Sequence, residues 1–244
     1  MNKIVILAAG KGKRMNLNRP KVLSPLAGKP IIEHLLKAIM ESGVDDRPII
    51  VVSPGNKDVI KNALSSYNLE YAVQKEQLGT AHAVLCAKEL VGAGIKNVVV
   101  LNGDHPLFKS ETIKKLSQDS EKIITILTAA VTGFNDWQKS FYQWGRIVRG
   151  RSGEIKGIVE FRDADEKTKK IKEVNPAAYR FNGKWLWKNI ERIKNNNAQK
   201  EYYLTDLVEL AFNDGAEVDS ILIKPEEALG INTPAELAVA ETLL

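Results

Sequence analysis

One cysteine, Cys86, in 244 residues leaves no partner for an intrachain disulfide and rules out a cysteine-based zinc site. Its setting among Val84, Leu85 and Leu90 reads as a buried thiol rather than a nucleophile. No apolar run approaches the ~20 residues that a membrane helix needs. Met1-Asn2-Lys3 leads straight into an apolar run rather than a signal peptide, so a cytoplasmic protein without a membrane partner is expected. Glycine is equally informative by what it fails to form. Gly10 and Gly12 are followed by Arg14-Met15 with no third glycine, which excludes the G-x-G-x-x-G dinucleotide fingerprint, and no G-x-x-x-x-G-K-[ST] loop occurs. The formal charge of +5 comes without an RNA- or DNA-binding motif, and acidic residues interleave the basic ones. An anionic small substrate, not nucleic acid, is the expectation. With no internal repeat and no linker, residues 1–244 read as a single domain.

What is present begins at Ile4–Leu7, four consecutive apolar residues that suit a strand buried on both faces. It runs into Ala8-Ala9-Gly10, small enough for backbone to approach a ligand. Lys11, Lys13, Arg14, Arg19 and Lys21 follow, a basic loop suited to a polyphosphate. The spacing of Ile31, Ile32, Leu35, Leu36 and Ile39 predicts a helix, and 49–53, 71–73 and 98–101 read as further strands with helices between. Strand and helix in alternation predict an α/β fold, a mostly parallel sheet flanked by helices. Gly79-Thr80 is expected to open a helix with Thr80 as N-cap. Gln74, whose amide carries a donor and an acceptor in one plane, is a candidate to read a pyrimidine edge. His82 reads as a helix residue without chemistry and His34 as a solvated one. Asp104 follows the strand at 98–101, where ligands bind in open α/β sheets, and a carboxylate there suits Mg²⁺ on a triphosphate.

LAAGKGKRM, PKVL, QKEQLGTAHA, GDHPL, WGRIVR, EVN, EYYLTD and GIN occur in that order. This series resembles the sugar-1-phosphate nucleotidyltransferases, and in detail the N-acetylglucosamine-1-phosphate uridyltransferases. The resemblance implies a Rossmann-like nucleotide-diphospho-sugar transferase fold with a sugar-binding β excursion. It implies uridylyl transfer from UTP to a sugar 1-phosphate, with pyrophosphate released and Mg²⁺ as cofactor. Leu7, Ala8, Ala9, Gly10, Gln74, Gln77, Gly79 and Thr80 would then contact the nucleotide. Asn102, Gly103, Gly145, Glu160 and Asn175 would contact the sugar, Asp104 and Asn232 would hold the metal, and Arg14 and Lys21 would stabilise charge on the phosphates. Thr205 is readable as a plain helix N-cap. A thymidylyl- or cytidylyltransferase and a non-catalytic nucleotide-sugar binder are the alternatives. Bacterial enzymes of this kind often continue into a β-helix that transfers acetyl groups, and since this chain stops at Leu244 that activity is not expected.

Three positions depart from the pattern. Asn102 and Trp144 stand where family members usually carry tyrosine, and Pro176 where they carry threonine. Asn102 and Pro176 are expected to border the sugar and to loosen discrimination among sugar 1-phosphates.

Overall fold

The computed structural model describes residues 1–10, 15, 19–92 and 94–244, so Lys11, Lys13 and the candidate Arg14 lie outside the described residues. The chain opens with β1 (Asn2–Leu7). Because successive side chains of a strand point to opposite faces, Ile4 and Ile6 enter one core while Val5 enters the other, all three fully buried. A short hairpin, β2 (Pro25–Leu26) with β3 (Lys29–Pro30), leads into α1 (Ile31–Ser42), which sets Ile32, Leu35, Leu36 and Ile39 against Ile4 and Ile6. Then come β4 (Ile49–Val52), α2 (Lys57–Ala63), β5 (Glu70–Val73), α3 (Thr80–Cys86), α4 (Lys88–Val91) and β6 (Asn97–Asn102). β5, β4, β1 and β6 lie side by side in that order, all parallel, as the strand–helix alternation predicts.

The second half is organised differently. It contains α5 (Ser110–Leu116), β7 (Ile124–Ala130), β8 (Arg146–Arg149), β9 (Ile155–Val159), β10 (Glu173–Val174) and β11 (Tyr179–Asn182). α6 (Gly183–Asn189), α7 (Asp206–Asn213), β12 (Val218–Ile223), α8 (Pro225–Ala228) and α9 (Pro234–Leu243) complete it. β11 runs antiparallel between β6 and β7, and β12 lies parallel along the other edge of β7. α3, α6 and α7 pack on the face that holds Val5, through Val84, Leu186 and Leu207.

β10 and β11 share one edge of β7 but do not form a continuous strand. Val174 stands opposite Ala129 and Tyr179 opposite Ile126, so the returning chain takes five steps where β7 takes three. The two extra residues bulge at 175–178, where Ala177 adopts φ 54, uncommon for a residue with a side chain. Asn175 braces the bulge: its Oδ1 accepts from the Ala177 N–H at 3.0 Å and its Nδ2 donates to the Tyr179 hydroxyl at 2.7 Å. On the far edge of this strand, β6 pairs with β11 and β8 pairs with β10. The sheet therefore forks at the bulge.

Residues 133–142, which composition leaves unassigned, fall largely in a 3₁₀ stretch, Asp136–Gln143, pinned by the fully buried Phe141 edge-on to Trp144. Cys86 is half-buried rather than buried, and burial still pushes its thiol upward. His34 is held rather than simply solvated, its Nε2 lying 2.9 Å from the Leu26 carbonyl oxygen.

Candidate active site

A cavity of about 360 Å³ opens where β1 and β6 end. Every one of Leu7, Ala8, Ala9, Gly10, Gln74, Gln77, Gly79 and Thr80 lines it, together with Lys21, Asn102 and Asp104. Gly79 can be nothing else: its φ is 117, and a Cβ there would stand 2.5 Å from the Tyr202 carbonyl oxygen. The approach is that close because Tyr202 N–H donates to Leu78 O at 2.8 Å and Ala81 N–H donates to Tyr202 O at 2.9 Å. Thr80 is not the N-cap; Gly79 occupies that position, and the Thr80 hydroxyl accepts from the Leu204 N–H at 2.9 Å. Thus the EYYLTD segment fixes the walls of this cavity by its backbone. Gln77 Nε2 donates to the Ala9 carbonyl, tying the glutamine to the loop after β1. Gln74 is buried beneath them.

A second cavity, of about 890 Å³, lies in the fork of the sheet. Asn102, Gly145, Glu160, Asn175 and Asn232 line it, as do the other two departing positions, Pro176 and Trp144. Gly103 lines neither cavity; it packs the core, where a Cβ would sit 3.3 Å from Ile32, Val22 and the Leu7 carbonyl. Glu160 accepts from the Thr205 hydroxyl at 3.2 Å. Thr205 occupies the N-cap position of α7, as read from the sequence, but its side chain makes no cap hydrogen bond there. Burial, partly countered by that hydroxyl, and the neighbouring charges of Asp206, Asp163 and Glu201 push the Glu160 carboxyl up to about 7. Burial and then Glu160 raise the Tyr179 hydroxyl as well.

The two cavities meet at Asn102 and Asp104. At this junction Lys21 Nζ donates to Asp104 Oδ2 and, at 2.8 Å, to Asn232 Oδ1. The backbone enforces the meeting of these distant segments, since Ile231 N–H donates to Asp104 O at 2.8 Å. Thr233, not Asn232, caps α9 by accepting from Glu236 N–H, while Glu236 accepts from the Asn232 N–H at 2.6 Å. Burial works to raise the Asp104 carboxyl, but the Lys21 charge overcomes it and holds the group below its ordinary range. Two oxygens, one anionic and one neutral, therefore converge on a single cation. Hard oxygen donors around one cationic point fit Mg²⁺ by their chemistry.

Some contributors carry no sequence signal of their own role. Arg146 is fully buried; its guanidinium donates to the Tyr142, Trp144 and Lys169 carbonyls and lies 4.7 Å from the Phe134 ring centroid. It ties together three segments around the larger cavity. His105 is buried between Phe108 and Trp144, its Nδ1 2.9 Å from the Ala228 carbonyl oxygen. Burial lowers the His105 pKa, opposed by the Asp104 charge and helped to a lesser degree by Lys21. Glu201 and Tyr203, from the EYYLTD segment, line the smaller and the larger cavity respectively.

Comparison with known proteins identifies the relatives of this chain. The chain is 38% identical over 244 residues to the bifunctional protein GlmU of Clostridium novyi, covering 98% of this chain and 51% of that protein. It is 40% identical over 238 residues to GlmU of Caldicellulosiruptor saccharolyticus, covering 97% of this chain and 50% of that protein. The chain thus spans about half the length of these relatives. The inositol-1-phosphate CTP transferase of T. maritima shares the fold, with a TM-score of 0.78 at 19% identity, over 100% of this chain and 94% of that one. Residues 3–226 match the family model described as Nucleotidyl transferase, and with the relatives' identity this shows that the chain belongs to the nucleotidyl transferase family.

Proposed function

We propose that this chain transfers a uridylyl group from UTP to a sugar 1-phosphate, with N-acetylglucosamine 1-phosphate the foremost acceptor. The carrying observation is that two cavities share Asn102 and Asp104 and that Lys21 sits at their junction. A nucleotide in the smaller cavity and a sugar in the larger would bring their phosphates together at that cation. An oxygen of the sugar phosphate attacks the α-phosphorus, the bond to pyrophosphate breaks, and UDP-sugar and pyrophosphate result. No protein nucleophile is needed, because such transfers are catalysed mainly by positioning and charge stabilisation.

In this reading Lys21 and Arg14 neutralise charge on the phosphates, Gln74 and Gly79 border the base, and Gly145, Glu160 and Asn175 border the sugar. Glu160 would accept from sugar hydroxyls. Asn175 acts through the bulge, because both polar atoms of its side chain already bond within it. Asp104 and Asn232 would hold Mg²⁺, which when bound would draw charge from the phosphate oxygens. Lys21 must then exchange its carboxylate partner for phosphate. With no helix among the described residues long and apolar enough to cross a membrane, soluble UTP and sugar phosphate are the partners proposed.

Pyrophosphate release from UTP and CTP, each with a panel of sugar 1-phosphates, tests the proposal. Release with UTP and N-acetylglucosamine 1-phosphate is expected. Turnover with CTP alone overturns the uridylyl reading, and turnover with no pair overturns transfer itself.

A further inference from the structure

Behind the smaller cavity stands His82, whose part no motif announces. Gln74 Nε2 lies 3.1 Å from the Gly79 carbonyl oxygen and 3.1 Å from His82 Nδ1. A carbonyl oxygen can only accept, so the atom facing Gly79 must be the amide nitrogen rather than its oxygen. His82 Nδ1 faces the same nitrogen and so must present a lone pair. Its proton then belongs on Nε2, which lies 3.9 Å from the Cys86 sulfur, a weak acceptor. Three separate contacts agree on one tautomer and one amide orientation.

The consequence falls on the other end of the amide. Its two hydrogens point at Gly79 and His82, which turns the carbonyl oxygen away from them. Among the described residues no group donates to that oxygen, nor is it among the buried polar atoms left unpartnered, so it is open to the cavity that Gln74 lines. We propose that His82 is a positioning residue that fixes the Gln74 amide with its oxygen toward the nucleotide base, and so selects bases that carry a ring N–H, as uracil and thymine do at N3. Cytosine has a bare acceptor at N3, and two acceptors face to face repel. This rests on the uridylyl reading above and adds the element that sets base choice. His82 is half-buried on α3, behind Gln74 and outside the cavity lining, so it acts through the amide and not by touching substrate.

The test compares kcat/KM for UTP and CTP in the wild type, His82→Leu and His82→Asn, with Tm measured for each. Leucine removes one of the two acceptors that hold the amide nitrogen and so weakens the hold on its orientation, whereas the asparagine oxygen stands near where Nδ1 stood. The UTP:CTP ratio should fall about tenfold in His82→Leu, the weight of one hydrogen bond, and return to within about threefold of wild type in His82→Asn. A merely structural histidine would lower Tm and both efficiencies together, leaving the ratio unchanged; that result overturns the inference and leaves the uridylyl reading standing. Loss of the ratio in both variants also overturns it, because the acceptor would then not be what matters. A wild type that prefers CTP overturns both readings at once.

Discussion

Lys21 is the residue at which charge, position and both cavities coincide. A positioned cation at developing charge is worth ~10² to 10³ in rate, so Lys21→Met should cut kcat by about that factor with a smaller change in KM for UTP. It also strands the largely buried Asp104, so stability falls too. The double variant Lys21→Met with Asp104→Asn separates the effects. Its Tm should recover most of the loss while turnover stays low; recovery of turnover would remove Lys21 from the chemistry. Glu160 gives a pH signature. Its carboxyl is raised to about 7, so between the ordinary value of 4.5 and 7 the folded chain keeps a proton that the unfolded chain has lost. Its contribution to stability is greatest at low pH and declines as pH rises through that window. A charged carboxylate accepts hydroxyl hydrogens more strongly, so KM for the sugar 1-phosphate should fall from pH 6 to pH 8. The substrate's phosphate also titrates near ~6, and the comparison that isolates Glu160 is the same profile in Glu160→Gln, which should be flatter. Nothing in the sequence announced the Thr205 hydroxyl as the group that tempers this carboxyl, since the two lie 45 positions apart and meet only through folding.

At the level of elements, Gly79 and the start of α3 make a direct prediction. Gly79→Ala must push a Cβ into the Tyr202 backbone in a conformation that L-residues rarely adopt. It should lower Tm and weaken nucleotide binding at least tenfold in a UDP titration; unchanged UDP affinity would mean that the close approach of 79 to 202 does not shape this cavity. Elements differed in how readily the chain disclosed them. β1, β4 and β6 carry continuous apolar runs, because parallel strands covered by helices on both faces must, and they were legible to within two residues at each end. β11 was not. It lies in the middle of the sheet, yet it reads Tyr-Arg-Phe-Asn, and Arg180 breaks the pattern although it is 1% exposed. That arginine is accommodated because it donates to the Lys122 carbonyl and the Thr125 hydroxyl, contacts that exist only once β7 is alongside. At Gly103 the sequence does not show why a side chain is excluded: a Cβ there would meet Ile32, Val22 and the Leu7 carbonyl at 3.3 Å.

On the scale of the whole molecule, the four parallel strands carry one cavity and the fork between β6 and β8 carries the other, with Asn102 and Asp104, among the described residues, common to both. A ligand that reaches through the junction engages both halves of the sheet. UDP-N-acetylglucosamine should therefore raise Tm more than UDP or the sugar phosphate at the same multiple of their own dissociation constants only if it also draws the halves together. At equal saturation simple linkage gives equal shifts, about 2.7 kcal/mol at a hundredfold excess. Equal shifts would show that the halves are already rigidly joined. The larger cavity exists because the chain between Val174 and Tyr179 is two residues longer than the strand it pairs with. Shortened by two, that segment would zip into an unbroken ladder with β7 and draw β6 and β8 toward each other. The chain would lose its left-handed alanine and gain pairing, and would lose the larger cavity. The vacancy that makes this protein useful is thus set by chain length, at a point where a better-paired and emptier-handed relative is only two codons away.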